Sequence, residues 1–358
     1  MKRFAFRMLL LLPIGLTVVG LNVWVDPAGL FHQDEERRIA AYQLEGLNVA
    51  NVRNHDDRQC VRFYVEGLNE KKDVLAFGSS RSMILDSTLF PGRTFFNASV
   101  FAATLPDVVA NFELFYMKGL TPRCVVVGVE PYMLNGNFNN RLYLRDAYEH
   151  AMDRLDLPYR DRVPLSARLI SPRYRHIVSA SYCQESVRNL HRLLEKGRPE
   201  PYPTTAFETR ETMTRADGSL SYELSRRLRD QELIDTKARR FAHENPAELT
   251  NFHRLDPYLC RVFETFLSDL IARGIEVVFF MSPYHPVTYA DVSTLEVYGR
   301  VGEAARYFEA FASEHGIPII GSYDPAACSL TADDFYDAVH CSHEAVSRIF
   351  EQGPEKNG

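Results

Sequence analysis

The sequence lacks the patterns that assign many chains of its length to a common functional class. Its six cysteines form no Cys-x-x-Cys pair, and no His/Glu spacing is typical of a metal site. It has no dense run of lysine and arginine, and its formal net charge of -6 at pH 7 argues against nucleic-acid binding. We therefore predict a protein with no metal, no cofactor and no nucleic-acid partner.

One long apolar run is present, at the N-terminus. Residues 1–25 place three basic side chains within the first seven positions and continue with an apolar stretch that ends at Val25. A helix needs about 20 residues to cross a bilayer, and a flank rich in lysine and arginine stays on the cytoplasmic side. We predict an N-terminal transmembrane helix in the inner (cytoplasmic) membrane, with the remaining chain in the periplasm. A cleaved signal peptide is the alternative, which we disfavour because no small-x-small cleavage site precedes Asp26.

The remaining chain divides into three segments. Residues 26–70 are polar, and we interpret them as a partly helical stalk that docks on the domain and carries no function. Residues 71–352 alternate apolar runs with amphipathic segments, and 135–255 interrupt them as an insertion. Such an insertion is either a lid or acceptor-binding surface, or a solvated decoration. Within it we predict loops at 137–140 and 202–214 and helices at 177–196 and 220–243, the latter densely charged.

The alternation in residues 71–352 predicts a parallel sheet. Short apolar runs bounded by turn residues predict buried strands, and apolar residues at helical spacing predict the helices between them. This pattern is typical of a three-layer α/β/α, doubly wound, flavodoxin-like fold, here with five strands. The predicted strands are 73–77, 93–97, 124–129, 275–281 and 317–320, and the predicted helices are 82–90, 105–118, 256–274, 294–315 and 342–350.

Two places far apart in the sequence carry the residue types of a serine-dependent site. Ser79, Ser80 and Arg81 follow the first predicted strand, at the end of the sheet where open α/β folds bind ligands. Near the C-terminus, Asp337 precedes His340 by three residues, a spacing that lets the carboxylate orient an imidazole that reaches a serine. Each residue also has a plainer interpretation, with Ser80 and Asp337 as helix caps and His340 on the surface. Taken together, they predict a Ser80–His340–Asp337 triad.

These motifs resemble those of the SGNH (GDSL-like) hydrolase superfamily. The stretch from Gly78 to Arg81 is similar to its first block, with Ser79 where an Asp commonly stands, and Asp337-x-x-His340 is similar to its last block. Within that superfamily, the chain looks most like membrane-anchored envelope proteins of the DltD and alginate O-acetylation type. Those proteins carry Gly-Ser-Ser after the first strand and an Asn-rich turn after the second. The resemblance covers the anchor and roughly two thirds of the remainder, but not the insertion.

The resemblance implies a role for individual residues. Ser80 would be the nucleophile, His340 the base, and Asp337 the group that orients the base. The backbone N–H groups of Ser80 and Ala102 would bind the oxyanion, with Ala102 standing where related enzymes have a Gly. Glu130 stands where many members have an Asn as a further oxyanion donor, and an ionised carboxylate cannot donate.

Further candidates follow the fourth predicted strand. Tyr284 and His285 come at the same edge of the sheet as Ser80, and we assign them, with Arg81, to substrate binding. His285 is also a rival to His340 as the base.

The cysteines permit one structural hypothesis. Cys328 and Cys341 flank the stretch from Asp337 to His340, and a disulfide between them would staple that stretch in an exported protein. Cys124 begins an apolar strand, and we predict a buried free thiol there.

The resemblance implies an enzyme of acyl transfer. We expect a membrane-anchored extracytoplasmic serine acyltransferase or acylesterase that acts on a cell-envelope glycan or lipid through an acyl-serine intermediate. A membrane-bound O-acyltransferase that supplies acyl groups is the expected partner. Two alternatives stay open: a catalytically silent SGNH-like binding module that assists envelope polysaccharide modification, and a plain lipid or thioester hydrolase. The departures at Ala102 and Glu130 favour the silent module.

Overall fold

The structure is a computed structural model that describes residues 2–27, 34–52, 55–138, 144–160, 179–196, 200–244, 246, 249 and 251–353. Within them the strands are β1 (Asn48–Ala50), β2 (Val74–Phe77), β3 (Phe95–Asn97), β4 (Cys124–Gly128), β5 (Tyr202–Thr204), β6 (Met213–Thr214), β7 (Leu220–Ser221), β8 (Glu276–Met281) and β9 (Ile319–Gly321). The helices are α1 (Lys2–Val25), α2 (Asp34–Leu44), α3 (Asp57–Gly67), α4 (Leu105–Met117), α5 (Arg145–Arg154), α6 (Ala180–Lys196), α7 (Leu224–Arg227), α8 (Gln231–His243), α9 (Pro257–Ala272), α10 (Pro286–Thr294), α11 (Gly299–His315) and α12 (His343–Glu351).

The central sheet contains five strands in the order β3-β2-β4-β8-β9, and each neighbouring pair is parallel. The predicted five-stranded parallel sheet is confirmed. Counted in order of appearance, these strands lie in the order 2-1-3-4-5, so the direction of winding reverses between β2 and β4. Open α/β sheets bind ligands in the crevice at the C-terminal ends of the strands that flank such a reversal.

Both faces of the central sheet are buried, because alternate side chains of each strand point to opposite faces. Leu75 and Val127 belong to one apolar cluster, which also contains side chains of α3, α4, α9 and α11. Val74 and Val126 belong to a second cluster on the other face, which contains side chains of α12 and of irregular segments. Strands buried on both faces read as continuous apolar runs, which is why these strands were visible in the sequence.

The chain directly after β2 differs from the prediction. The predicted helix over 82–90 is wrong, since the structure has tight turns there and a single 3-10 turn at Ser87–Leu89. The side-chain amide of Asn97, at the end of β3, donates to the carbonyls of Ser82 and Leu85, each at 2.8 Å. Asn97 thereby binds acceptors that a helix would have used for its own hydrogen bonds.

A second, antiparallel sheet with the order β5-β1-β6-β7 joins the N-terminal segment to the insertion. The predicted loop over 202–214 is wrong in two stretches, because β5 and β6 pair on either side of β1. The predicted helix over 220–243 is replaced by β7, α7 and α8. Since β1 contributes the fully buried Val49, strand pairing builds residues 48–50 into the fold.

Helix α1 packs against α6 through buried polar side chains. The Ser186 hydroxyl donates to Asn22 Oδ1 at 3.1 Å, and the Tyr182 hydroxyl donates to Asp26 Oδ1 at 2.7 Å. Both Asn22 and Ser186 are fully buried. Over the described residues, no helix combines the length and the apolar character that a membrane crossing needs.

The six cysteines are all free thiols. The hypothesis of a staple between Cys328 and Cys341 is therefore wrong for this structure, although both side chains lie in the same apolar cluster. Burial raises the pKa of Cys341 to about 12, and its thiol donates to the carbonyl of Pro283 at 3.8 Å. The predicted buried thiol at Cys124 is confirmed.

Candidate active site

A cavity of about 580 Å³ lies at the C-terminal ends of β2, β4 and β8. Its walls come from the turn after β2, the loop before α4, the 3-10 turn after β4, the start of the loop after β8, helix α8 and the loop before α12. The residues that line the cavity include Ser80, Arg81, Ala102, Tyr132, Tyr284, Asp337 and His340. The cavity therefore opens at the point where the winding of the sheet reverses.

Three predicted residues meet at the edge of this cavity. His340 Nε2 lies 2.9 Å from Ser80 Oγ, and His340 Nδ1 lies 2.9 and 3.1 Å from the two carboxylate oxygens of Asp337. With Nδ1 protonated, the ring donates to Asp337 and accepts from the Ser80 hydroxyl. The side chains of His340 and Asp337 are 13% and 18% exposed, so they are largely shielded from solvent. A serine nucleophile, a base and an orienting carboxylate require this arrangement.

The loop that carries Asp337 and His340 is held by hydrogen bonds along its backbone. Asp337 Oδ1 accepts from the N–H groups of Val339 and His340, each at 3.0 Å. The backbone N–H of His285, after β8, donates to the carbonyl of Ala338 at 3.1 Å. These bonds fix the position of the imidazole before any ligand arrives, which is the preorganisation that a catalytic base needs.

Arg226, in the short helix α7 of the insertion, also reaches this pair. Its guanidinium donates to Asp337 Oδ2, and its Nη2 atom lies 3.0 Å from His340 Nδ1. The guanidinium carbon lies 3.9 Å from the ring centre of Tyr222, a cation–π contact. Burial alone would raise the pKa of Asp337, but His340 and Arg226 outweigh burial and hold this pKa well below its ordinary value. Asp337 is therefore a carboxylate at neutral pH and can only accept hydrogen bonds.

Two glycines allow the ends of β2 and β4 to approach each other beneath Ser80. A Cβ atom on Gly78 would lie 2.5 Å from Ser82 Oγ, and one on Gly128 would lie 1.8 Å from the same atom. Gly78 does not have a positive φ, so it is needed for space rather than for a left-handed turn. The fully buried Ser82 side chain fills the gap between the two strands.

Arg81 ties three strand ends to the loop of His340. Its guanidinium donates to Glu130 at 2.6 Å, to the carbonyl of Val339 at 3.2 Å, and to the carbonyl of Ser282. Its guanidinium carbon lies 4.1 Å from the ring centre of Tyr284, and only 6% of Arg81 is exposed. These contacts engage the guanidinium within the protein. Arg81 also lines the cavity, so its assignment to substrate binding stays a prediction, and these contacts add a positioning role.

Glu130 is turned toward Arg81 and does not line the cavity. It also accepts a hydrogen bond from Ser79 Oγ at 2.7 Å and is 1% exposed. Burial raises the pKa of Glu130, against the opposing effects of the Arg81 charge and the Ser79 hydroxyl. The residue at this position is thus part of a buried ion pair and offers no oxyanion donor. Tyr132, in contrast, lines the cavity.

The two backbone N–H groups expected to bind an oxyanion are both placed at the cavity. Ser80 and Ala102 line it, and neither N–H donates to another residue that the structure describes. Ala102 has a φ of +49°, in the left-handed region that glycine enters freely and alanine enters at a cost. A position where a glycine is expected from the resemblance therefore has the backbone conformation that glycine favours.

Tyr284 and His285 take different places. Tyr284 lines the cavity, but the fully buried His285 does not. The N–H of Val287 donates to His285 Nδ1 at 3.3 Å, which caps α10, and His285 Nε2 lies 3.3 Å from Asp235. Burial lowers the pKa of His285, although Asp235 opposes this effect. His285 is therefore a structural residue and neither a substrate ligand nor a rival base.

Sequence analysis left open whether the insertion contributes to the site, and it named no residue of the insertion that does so. Arg226 contacts the triad, and Lys237, Arg240 and Phe241 of α8 line the cavity. The available signal was the density of charge in 220–243, which does not indicate which side chains face a site and which face solvent.

No family model and no curated protein matches this chain. Across the described ranges, no group of three or more His, Cys, Asp or Glu side chains is placed to hold a metal ion.

Proposed function

We propose that the protein is a serine-dependent acyltransferase or acylesterase with Ser80 as its nucleophile. The observation that carries the proposal is the chain of hydrogen bonds from Ser80 Oγ through the His340 ring to Asp337, at 2.9 Å on each side of the ring. An isolated serine hydroxyl is a weak nucleophile, and such a chain is what activates it.

In the proposed reaction, Ser80 Oγ attacks the carbonyl carbon of an ester while His340 Nε2 takes the hydroxyl proton. The oxyanion that forms is bound by the N–H groups of Ser80 and Ala102, and each such donor is worth a few kcal/mol in the transition state. His340 then gives its proton to the leaving alkoxide, and an acyl-serine remains. In the second half of the reaction, His340 deprotonates an acceptor hydroxyl or a water molecule, which attacks the carbonyl carbon of the acyl-serine. Ser80 Oγ then leaves and takes back the proton from His340.

The resemblance to SGNH-like envelope proteins supplies the expected setting. We propose a flavodoxin-like SGNH domain, anchored by residues 1–25 in the inner membrane, that acts in the periplasm on an envelope glycan or lipid. A membrane-bound O-acyltransferase would supply the acyl group. The size of the cavity, about 580 Å³, supports a substrate larger than a bare acetyl group, since pockets of about 300 to 1,000 Å³ hold ligands of drug size.

A catalytically silent binding module is the second candidate. The observation that favours it is the absence of an oxyanion donor at Glu130, whose carboxylate binds Arg81 and Ser79 instead. Two backbone donors at Ser80 and Ala102 remain, and catalysis by two donors is chemically sufficient. The silent binding module is therefore the second candidate, after the serine-dependent enzyme.

Labelling by a fluorophosphonate probe separates the two candidates. Wild-type protein is expected to label at Ser80, and Ser80→Ala should abolish labelling while the circular dichroism spectrum is unchanged. His340→Ala should lower the labelling rate nearly as much, because the effects of residues in one catalytic unit are non-additive. Asp337→Ala should lower the labelling rate less, because Asp337 only orients the base. The matched control is Ser99→Ala, which removes a buried hydroxyl near the same sheet edge without touching the triad. A wild type that neither labels nor cleaves small acyl esters would leave the binding module as the function.

A further inference from the structure

We propose that Asp57 and Arg58, in the first turn of α3, are positioning residues that clamp the loop of Ala102 into its oxyanion-binding conformation. The inference rests on the proposed acyl-transfer function and deepens it. It assigns a role in the site to residues 26–70, which the sequence analysis interprets as a stalk without function.

Both backbone hydrogen-bonding groups of Phe101, the residue before Ala102, are bound by α3. The Phe101 N–H donates to Asp57 Oδ2 at 2.9 Å, and Arg58 Nη2 donates to the Phe101 carbonyl at 3.3 Å. His55 Nε2 lies 2.9 Å from the other oxygen of Asp57 and so helps to orient that carboxylate. The two peptide groups that flank the Phe101 Cα are consequently each held by one charged side chain, and the second of them is the peptide group that carries the Ala102 N–H.

Arg58 also fixes the far end of the same loop. Its Nε and Nη2 atoms donate to the two oxygens of Asp107 at 2.6 and 2.9 Å. Asp107 in turn accepts from the N–H and the hydroxyl of Thr104, at 2.9 and 2.8 Å, in the capping box that begins α4. The Arg58 and Asp107 side chains are 12% and 3% exposed, and charge-assisted bonds of this kind are stronger than neutral ones. The loop over 101–104 is therefore held at both ends from α3.

The conformation of Ala102 explains why a clamp is needed. At a φ of +49°, alanine lies in a region that it rarely adopts, so a loop free to relax would leave it. A misplacement of about 1 Å at a catalytic group costs up to about 100-fold in rate. The clamp holds Ala102, whose N–H has no acceptor among the described residues, beside Ser80 at the cavity.

Asp57→Ala tests the clamp, with Asp56→Ala as its matched control. Asp56 caps the same helix, since its carboxylate accepts from the Arg58 N–H at 3.1 Å, but it does not bond to Phe101. We expect Asp57→Ala to lower kcat for a small acyl ester by about 10- to 100-fold with KM nearly unchanged. Asp56→Ala should lower the Tm without this loss of kcat, and Asp57→Asn, which keeps an acceptor oxygen, should recover most of the activity.

A second measurement needs no turnover. Ala102→Gly removes the cost of the left-handed conformation and should raise the Tm of the wild type by about 2 °C. In the Asp57→Ala background the rise should be smaller, because the unclamped loop lets Ala102 relax. Equal rises in both backgrounds would show that α3 does not hold Ala102 in this conformation.

The outcomes separate the inference from the function on which it rests. If the wild type turns over esters but Asp57→Ala behaves like Asp56→Ala, only the clamp is overturned. If the wild type neither turns over esters nor labels at Ser80, the proposed function and the catalytic purpose of the clamp are both overturned. The Tm cycle then still decides whether the clamp exists as a structural device.

Discussion

Replacing Glu130 by Gln should destabilise the fold by about 3 to 5 kcal/mol, because it leaves a buried charge without its counter-ion. Arg81 is 6% exposed, and Glu130 contacts it at 2.6 Å, while two other Arg81 bonds go to the carbonyls of Val339 and Ser282. Gln keeps the volume of Glu and an oxygen that can accept from Ser79. The substitution therefore isolates the charge, and a guanidinium cannot shed its proton to compensate.

A double variant distinguishes the destabilisation caused by an unpaired buried charge from the stabilisation that the ion pair itself provides. Adding Arg81→Met to Glu130→Gln removes the unpaired charge, so the double variant should be more stable than Glu130→Gln alone. A coupling free energy of about 1 to 3 kcal/mol is expected for side chains in direct contact. The carbonyls of Val339 and Ser282 lose their donor in the double variant, so full recovery is not expected.

Urea unfolding at pH 7, followed by far-UV circular dichroism, measures these free energies. The control is Glu276→Gln, which breaks the exposed pair with Arg93 at 3.4 Å, where the side chains are 49% and 39% exposed. That change should lower the free energy of unfolding by less than about 1 kcal/mol, because exposed ion pairs contribute little to stability. If Glu130→Gln lowers the free energy of unfolding no more than this control does, Arg81 is not a buried anchor, and only its assignment to substrate binding remains.

Two further substitutions test other parts of the structure. Gly128→Ala, whose Cβ would lie 1.8 Å from Ser82 Oγ, should lower the free energy of unfolding by about 1 to 3 kcal/mol and slow the labelling of Ser80. Gly302→Ala, in the first turn of α11, should instead raise the free energy of unfolding by about 0.5 to 1 kcal/mol, because an added Cβ meets only the end of the Arg306 side chain. Urea unfolding measures both changes, and equal effects would contradict the reasoning. The hydrogen bond to Asp86 raises the pKa of His343 above its ordinary value of 6.5, although burial opposes it, so this contribution is complete below about pH 6.5 and is lost as the pH rises through the raised pKa. The stability advantage of the wild type over His343→Gln should therefore shrink between about pH 6 and 9, and an advantage that is constant over this range would contradict the ion pair.

Much of the element order is predictable because short-range chemistry determines it. Helix α9 begins where Asp256 precedes Pro257, and in the structure the Asp256 carboxylate accepts from the N–H groups of Tyr258 and Leu259 at 2.9 and 3.3 Å. The run of valines in β4 predicts a strand buried on both faces, which is where β4 lies. Such signals depend on residues a few positions apart, so they can be recognised without knowledge of the rest of the chain.

The meeting of Ser80 with His340 is also predictable, although 260 residues separate them. Parallel strands joined by right-handed crossovers bring their C-terminal ends to one edge of the sheet, so residues that follow different strands become neighbours. The spacing of Asp337 and His340 is local, and it needs only a turn to bring the carboxylate to the ring.

Some contacts join residues far apart in the sequence, and the residues around each partner do not indicate which other residue it will contact. Only the tertiary structure decides these contacts. The sequence determines that residues 220–243 are charged, but the approach of Arg226 to Asp337 depends on how the insertion packs over the sheet edge. Likewise, the expected helix over 82–90 does not form, because β3 places the side-chain amide of Asn97 beside the carbonyls of Ser82 and Leu85. The short strands β5 and β6 form because β1 offers them an unpaired edge, and isolated stretches of two or three residues have no such preference of their own. A charge, an amide or a short apolar run can bind many partners, and the folded chain selects one by bringing it within hydrogen-bonding distance.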